Sequence, residues 1–313
     1  MYSSGPFSVE AVRVAVLGGE EGWHTRDLLR AAAATGVELT AAGFQGLEAR
    51  LCPAAGGRGG ARARSEGGHI DLAETRAVIV RSMPLGTLEQ VIFRMDALHR
   101  LDSLGVRVLN RPRALETAID KYLSAARMEE AGLPVPATAV SEKSREACAA
   151  FEELGGDVVV KPIFGSEGRG LRRITSPGEA ACVFRELEAA GAAILLQRYI
   201  EHPSGDLRLF VLGGEVLCGI RRVATETSGG WITNIARGGR AEPLDDLSWV
   251  APLAVRAAAA VGAEVAGVDV LPDRDGKPWL LEVNAVPGWR ALSAVTGIDV
   301  AAEVIAYLLR TMG

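Results

Sequence analysis

Residues Val158 to Leu171 read VVVKPIFGSEGRGL. A lysine closing an apolar valine run, followed by Gly165, Gly168 and Gly170, is the pattern of a hairpin with bare amides at its tip. Glycines there reach positive φ and let backbone N–H groups approach a ligand, which suits phosphate oxygens. Lys161 would set an ammonium on the same phosphates. The spacing is neither GxxxxGK[ST] nor a GxGxxG that opens a helix, so the two commonest phosphate loops are excluded. Taken alone, the tip is equally a turn that binds nothing.

A second group is acidic. Asp269 stands in GVDVL and, beyond a PDRDG turn, Glu282 and Asn284 stand in WLLEVNAVPG. Residues two apart share a strand face, so Glu282 and Asn284 point the same way. With the turn centred near Arg274–Asp275, Asp269 opposes Leu280 and lies diagonal to Glu282. Three oxygen donors without His or Cys suit Mg2+, which takes the rest of its shell from water and substrate phosphates. A carboxylate inside an apolar strand is also costly without a partner. A third group is basic. Asp206 and Arg208 begin an apolar hairpin that Arg221 and Arg222 end, and Asn234 and Arg237-Gly238-Gly239-Arg240 follow. Arginines beside a phosphate loop and an acidic metal site suit clamping of a transferring phosphoryl group. Each arginine by itself suits a surface ion pair as well.

The elements that must carry these residues are legible as periodicities. Val12–Leu17, Val37–Phe44, Ala77–Arg81 and Val106–Leu109 read as buried strands, with helices over Arg26–Thr35 and Leu88–Leu104. Residues 53–68 are rich in Gly, Ala and Arg and read as a loop. Ala114–Gly132 reads as helical, and Leu133-Pro134-Val135-Pro136 as an extended connector. Beyond it, Val158–Lys161, Leu171–Ile174 and Ile194–Ile200 read as strands and Glu179–Ala190 as a helix. Hairpins follow over 207–222 and 265–284, with helices over Leu247–Val261 and Val300–Met312. An α/β domain over 1–110 is expected to precede α+β lobes over 111–200 and 201–313.

The 313 residues are 48% hydrophobic and 23% charged, enough for buried cores. A net charge of -5 argues against general affinity for nucleic acid, and aromatics at 5% give little for base stacking. It also disfavours a highly acidic protein tail as substrate. Apolar runs are too short for a transmembrane helix, and the first residues lack a secretory pattern, so a cytoplasmic protein without membrane association is expected. Cys52, Cys148, Cys182 and Cys218 and the four histidines lack metal-ligand spacing and read as reduced thiols and isolated imidazoles.

In order, NRPRALETAIDKYLSAARMEEAGLPVPAT, VVVKPIFGSEGRGL, LLQRYIE, GDLRLFVLGGEV, RRVA, WITNIARGGRAE, GVDVL and LLEVNAVPG resemble the ATP-grasp superfamily. Within it they resemble the RimK-like α-L-glutamate ligases. The resemblance implies an ATP-grasp fold: a Rossmann-like pre-ATP-grasp domain and two α+β lobes holding ATP. It matches Lys121 and Lys161 to phosphate-binding lysines, and Gly165, Ser166, Glu167, Gly168 and Gly170 to the loop closing over the triphosphate. It matches Gln197, Arg198, Tyr199 and Ile200 to the hinge that bonds adenine through backbone groups, and Asp206 to an acidic nucleotide contact. Arg208 and Arg222 match basic groups near the reacting phosphate, and Asn234 a residue of the substrate-side loop. Asp269, Glu282 and Asn284 match the magnesium ligands, with a second ion, or Mn2+ in place of Mg2+, allowed. Two positions depart from the pattern: Arg198 replaces an acid, and Ile232 a basic residue.

The function implied is an ADP-forming carboxylate–amine ligase that works through an acylphosphate. Glutamate is the usual amine of the family. The segment NAVPGWRAL, with Trp289, resembles relatives tied to pterin cofactors, which implies a tetrahydromethanopterin- or methanofuran-type acceptor and a homo-oligomeric enzyme. The alternatives are a nucleotide-binding regulator without ligase activity, which the set of Lys121, Lys161, Asp269, Glu282 and Asn284 opposes, and an NAD-dependent oxidoreductase. The second lacks the glycine spacing and the acidic residue after the second strand.

Overall fold

The computed structural model describes residues 12–51, 59–165, 170–203, 205–224, 239–244 and 246–312. The chain forms two compact units, Met1–Pro112 with Asp299–Gly313, and Arg113–Ile298.

The first unit holds strands β1 (Arg13–Leu17), β2 (Glu38–Arg50), β3 (Gly60–Ser65), β4 (Gly68–Asp71), β5 (Ala77–Val80) and β6 (Arg107–Leu109), in the order β4-β3-β2-β1-β5-β6. The apolar runs VAVL and AVIV are buried along their length, as central parallel strands require. β1 is parallel to β2 and β5, and β5 to β6. Helices α1 (Trp23–Ala33) and α2 (Leu88–Ser103) belong to this unit.

Two expectations are corrected here. Part of the expected loop 53–68 is strand β3: Ala61 and Ala63 are buried while Arg62 and Arg64 are exposed, a period of two that the glycine-rich composition concealed. Residues 52–58 lie outside those described. The expected domain 201–313 is divided, because the last helix, Val300–Thr311, belongs to the first unit. Its face of Val300, Ala301, Val304, Ile305 and Leu308 is buried, it packs on α1, and Arg30 donates to Asp299 at 2.7 Å.

The second unit opens with α3 (Pro112–Ile119) and α4 (Lys121–Glu130). The single helix expected over 114–132 breaks at Asp120, whose Oδ1 accepts from the N–H groups of Tyr122 and Leu123 and so caps a new helix. Two antiparallel sheets follow. The first runs β7-β10-β8-β9, from β7 (Thr138–Ser141), β8 (Val158–Lys161), β9 (Arg172–Ile174) and β10 (Ile194–Arg198), with helices α5 (Ser144–Glu153) and α6 (Pro177–Ala189). Val158, Val160, Ile174, Ile194 and Leu196 pack with Phe151, Leu154 and Phe184 in one core. Strand alternation turns Thr138, Val159, Lys161, Arg173, Leu195 and Gln197 to the opposite face.

The second sheet runs β13-β12-β11-β14-β15, from β11 (Asp206–Leu212), β12 (Glu215–Val223), β13 (Arg240–Pro243), β14 (Val265–Pro272) and β15 (Pro278–Asn284). Leu207, Leu209, Val268 and Val270 on one face are fully buried, and α7 (Ala251–Val261) packs on the sheet. A short helix, α8 (Arg290–Thr296), follows β15. The Leu280 N–H donates to the Pro134 carbonyl at 2.8 Å and ties β15 to the connector ahead of β7. Among the described residues no single helix is long and apolar enough to cross a membrane.

Candidate active site

The second sheet carries a row of charge across four strands. Arg222 of β12 is paired in register with Asp206 of β11, Arg208 of β11 with Asp269 of β14, and Asp269 with Glu282 of β15. Directly opposed residues share a face, so all five side chains stand on one side. The expected diagonal relation of Asp269 to Glu282 is corrected: a register shift between Asp269 and Val270 puts one extra residue on β15, so Asp269 faces Glu282 while Val270 faces Leu280. Gly267 and Asn284 form the next pair along the same face.

The row is bonded internally. Arg208 Nη1 donates to Asp269 Oδ1 at 2.6 Å and Arg222 Nη2 to Asp269 Oδ2 at 2.8 Å, while Arg222 also grips both oxygens of Asp206. Burial works against the Arg222 charge, but Asp269 and Asp206 outweigh it and hold the guanidinium above its ordinary range. Burial would likewise raise Asp269, and the two arginines outweigh it and hold the carboxyl below its ordinary range. Glu282 makes no hydrogen bond among the described residues, and its charge is felt by Lys161 and Lys121.

Lys161 and Lys121 come from the other half of the unit. Lys161 Nζ donates to Gln197 Oε1 at 2.8 Å, and Gln197 Nε2 donates to Thr138 Oγ1 at 3.0 Å. Burial pushes the Lys161 ammonium down to about 8, against the pull of Glu282. Lys121 starts α4 directly after its Asp120 cap and donates to the Gly165 carbonyl at 2.6 Å; burial lowers it too. A cation in the first turn opposes the helix dipole, so helix stability does not explain Lys121.

The glycine segment is visible at its two ends. Gly165 (φ +144°) and Gly170 (φ +76°) both use the left-handed half of backbone space beside Pro162. Ser166, Glu167, Gly168 and, further on, Ile232 and Asn234 lie outside the described residues.

The hinge is only partly as expected. Gln197 is buried and faces Lys161. Arg198 is turned the other way by alternation and donates through Nε to the Leu154 carbonyl, so its side chain is off the face that holds Lys161. The N–H groups of Arg198 and Tyr199 already donate to the carbonyls of Ala137 and Asp157, and the Ile200 carbonyl accepts from His202. Arg173, held by Asp157, covers the Tyr199 ring at 3.5 Å. Asp206, expected at the nucleotide, is buried against Arg222. Trp289, expected to mark the acceptor, is 1% exposed and packs edge-on to Phe210, so it is core. Sequence reasoning missed Thr138 and Gly267, which carry no sign of their role until their partners are placed.

The arrangement offers hard oxygen donors facing two lysines. No group of three His, Cys, Asp or Glu side chains that could hold a metal is present among the described residues. The oxygens expected to serve as donors are instead those of the Asp269 and Glu282 carboxylates and the Asn284 amide, whose Oδ1 also accepts from the Val286 N–H at 2.8 Å. An all-oxygen set with too few protein ligands for a full shell fits Mg2+ shared with phosphate.

Residues 118–308 match the model of the RimK-like ATP-grasp domain. The chain belongs to this family. It is 32% identical to a tetrahydromethanopterin:α-L-glutamate ligase of Methanosarcina acetivorans over 77% of this chain and 82% of that protein. It is 31% identical to a probable α-L-glutamate ligase of Haemophilus influenzae over 68% of this chain and 70% of that one. Among solved structures, an ATP-grasp RimK domain protein of Sphaerobacter thermophilus is 25% identical, with a TM-score of 0.71 over 94% of this chain and 98% of that one. The ATP-grasp ligase PsnB with its minimal precursor shares the fold, with a TM-score of 0.75 and 23% identity over 96% of this chain and 99% of that one. A further PsnB complex holds Mg and ADP. This RimK-like protein is therefore an ADP-forming ATP-grasp carbon–nitrogen ligase.

Proposed function

We propose that this enzyme adds L-glutamate, or a closely similar amino acid, to a carboxylate of a small pterin-type cofactor precursor in the cytoplasm. An oxygen of the acceptor carboxylate attacks the γ-phosphorus of ATP and ADP leaves. The amine then attacks the acylphosphate carbonyl, phosphate leaves, the nitrogen loses a proton, and an amide remains. The observation that carries this reading is the charged row from Arg222 to Glu282 facing the lysine pair, in a chain 32% identical to a ligase of that name.

Lys161 and Lys121 would bind phosphate oxygens, and Gly165–Gly170 would close over them and keep water from the acylphosphate. Arg208 and Arg222 would offset the charge that develops on the transferring phosphate. Asn234 would act on the substrate side. Asp269, Glu282 and Asn284 would hold Mg2+, which supplies neutralising charge beside the phosphates; the same oxygen donors suit Mn2+. No side chain need act as a covalent nucleophile.

The test is ADP release in the presence of L-glutamate and a panel of carboxylate acceptors, with product mass. The reading requires ADP formation that depends on both substrates and a product heavier than the acceptor by one amino-acid residue. ADP formation indifferent to every amine would overturn it, and nucleotide binding without turnover would favour a regulator.

A further inference from the structure

Within the charged row of the second sheet, Gly267 stands two residues before Asp269 on the same face of β14. A Cβ placed on Gly267 would lie 2.5 Å from Cζ and Nη2 of Arg208 and 2.6 Å from its Nε. Carbon atoms pack at roughly 3.5–4.0 Å, so the guanidinium occupies the volume that any other residue would need. Gly267 is not among the glycines with positive φ, so its backbone does not require glycine. The requirement is for bare strand surface beneath a flat cationic group.

That surface decides where Arg208 can point. Arg208 is directly opposite Asp269, donates to its Oδ1 at 2.6 Å and is 9% exposed. A side chain at 267 would lift the guanidinium off β14, away from Asp269. The clash is with the far end of a flexible side chain, so the scaffold need not move.

We propose that Gly267 is a positioning residue, whose missing side chain seats the Arg208 guanidinium flat on β14 and aims it at the terminal phosphate of the nucleotide. The proposal rests on the phosphate role given to Arg208 above.

The experiment compares wild type, Gly267→Ala, Arg208→Ala and the double variant. Each is titrated by calorimetry with the β,γ-imido analogue of ATP and with ADP, both with saturating Mg2+, and its thermal midpoint is measured without nucleotide. A charge-assisted contact to the terminal phosphate gives a preference for the triphosphate that Arg208→Ala should reduce roughly ten- to a hundredfold. Gly267→Ala should reduce that preference by most of the same factor, with ADP affinity and thermal midpoint near wild type. The double variant should lose no more than Arg208→Ala alone, since a methyl that acts through Arg208 has nothing left to displace. Unchanged preference in Gly267→Ala, losses that multiply in the double variant, or a collapsed thermal midpoint in Gly267→Ala would each overturn the proposal. An Arg208→Ala protein with wild-type preference would remove the reading of Arg208 itself.

Discussion

Asp269 accepts from Arg208 through one carboxylate oxygen and from Arg222 through the other, and Arg222 in turn grips both oxygens of Asp206. The two arginines to which a phosphate role is proposed are thus both held by acids. Removing Arg222 deletes a cation from the site and strands Asp206, whose side chain is 5% exposed. Arg222→Ala should lower kcat by on the order of 10²–10³ while raising the KM for ATP far less. It should also cost about 3–5 kcal/mol of stability, because a buried carboxylate loses its partner. Steady-state kinetics well below the lowered thermal midpoint separates the two effects. If KM alone changes, Arg222 is a ground-state binding group.

Glu282→Gln keeps the shape of the side chain and removes a charge from the donor set. It should abolish turnover. Repulsion between Asp269 and Glu282 would make the neutral variant more stable, but Asp269 is already neutralised by two arginines and Glu282 faces two lysines. The thermal midpoint should therefore stay near that of wild type. Turnover at the wild-type rate would exclude Glu282 from the metal site.

Much of this site could be read from residue order, and the exceptions have physical reasons. Lys161 and Gln197 each lie on a strand whose alternation sets the face, and both strands were recognisable as apolar runs. The same alternation separates Arg198 from Gln197, although the hinge motif groups the two. The facing of Asp269 and Glu282 depends on a bulge, which has no compositional mark in LPDRDGKPWLLEV. Gly267 gains meaning only when an arginine from another strand lies over it, and Thr138 when a glutamine 59 residues away reaches it. Long-range partners are set by tertiary packing, which local pattern does not encode. Strand β3 was concealed for the opposite reason: its neighbours in sequence are so rich in glycine that the ARAR alternation reads as part of a loop.

Thr138 fixes the amide of Gln197. Its hydroxyl donates to the Pro136 carbonyl at 2.8 Å, so Oγ1 can only accept, and Gln197 must present its NH2 there and its Oε1 to Lys161. Thr138→Val preserves the shape and removes the acceptor, leaving a buried amide donor unsatisfied at a cost of about 1–3 kcal/mol. The KM for ATP should rise several-fold with kcat little changed, and Thr138→Ser should restore it. A valine variant with the wild-type KM would show that Lys161 holds its place without this chain of bonds.

The phosphate role proposed for Lys161 would make nucleotide binding a proton-coupled event. Burial holds its ammonium at about 8, where the ordinary lysine value is 10.5, and triphosphate oxygens would raise it again. At pH 8 the free enzyme has this group about half protonated, so binding should take up about half a proton. The uptake should fade below about pH 7, where the group is already charged. Stability of the nucleotide-free protein has the opposite sign: the cost of burying the charge is full below pH 8 and fades as pH rises toward 10.5. Wild type should thus gain stability over that window relative to Lys161→Gln. Calorimetry of ATP binding in two buffers of different ionisation enthalpy measures the uptake. Because Lys121 is lowered in the same direction, the Lys161→Arg protein is the needed comparison. Its guanidinium stays charged across this range, so the part of the uptake due to Lys161 should disappear while phosphate binding survives. Equal uptake in the two proteins at pH 8 would place the titrating group elsewhere.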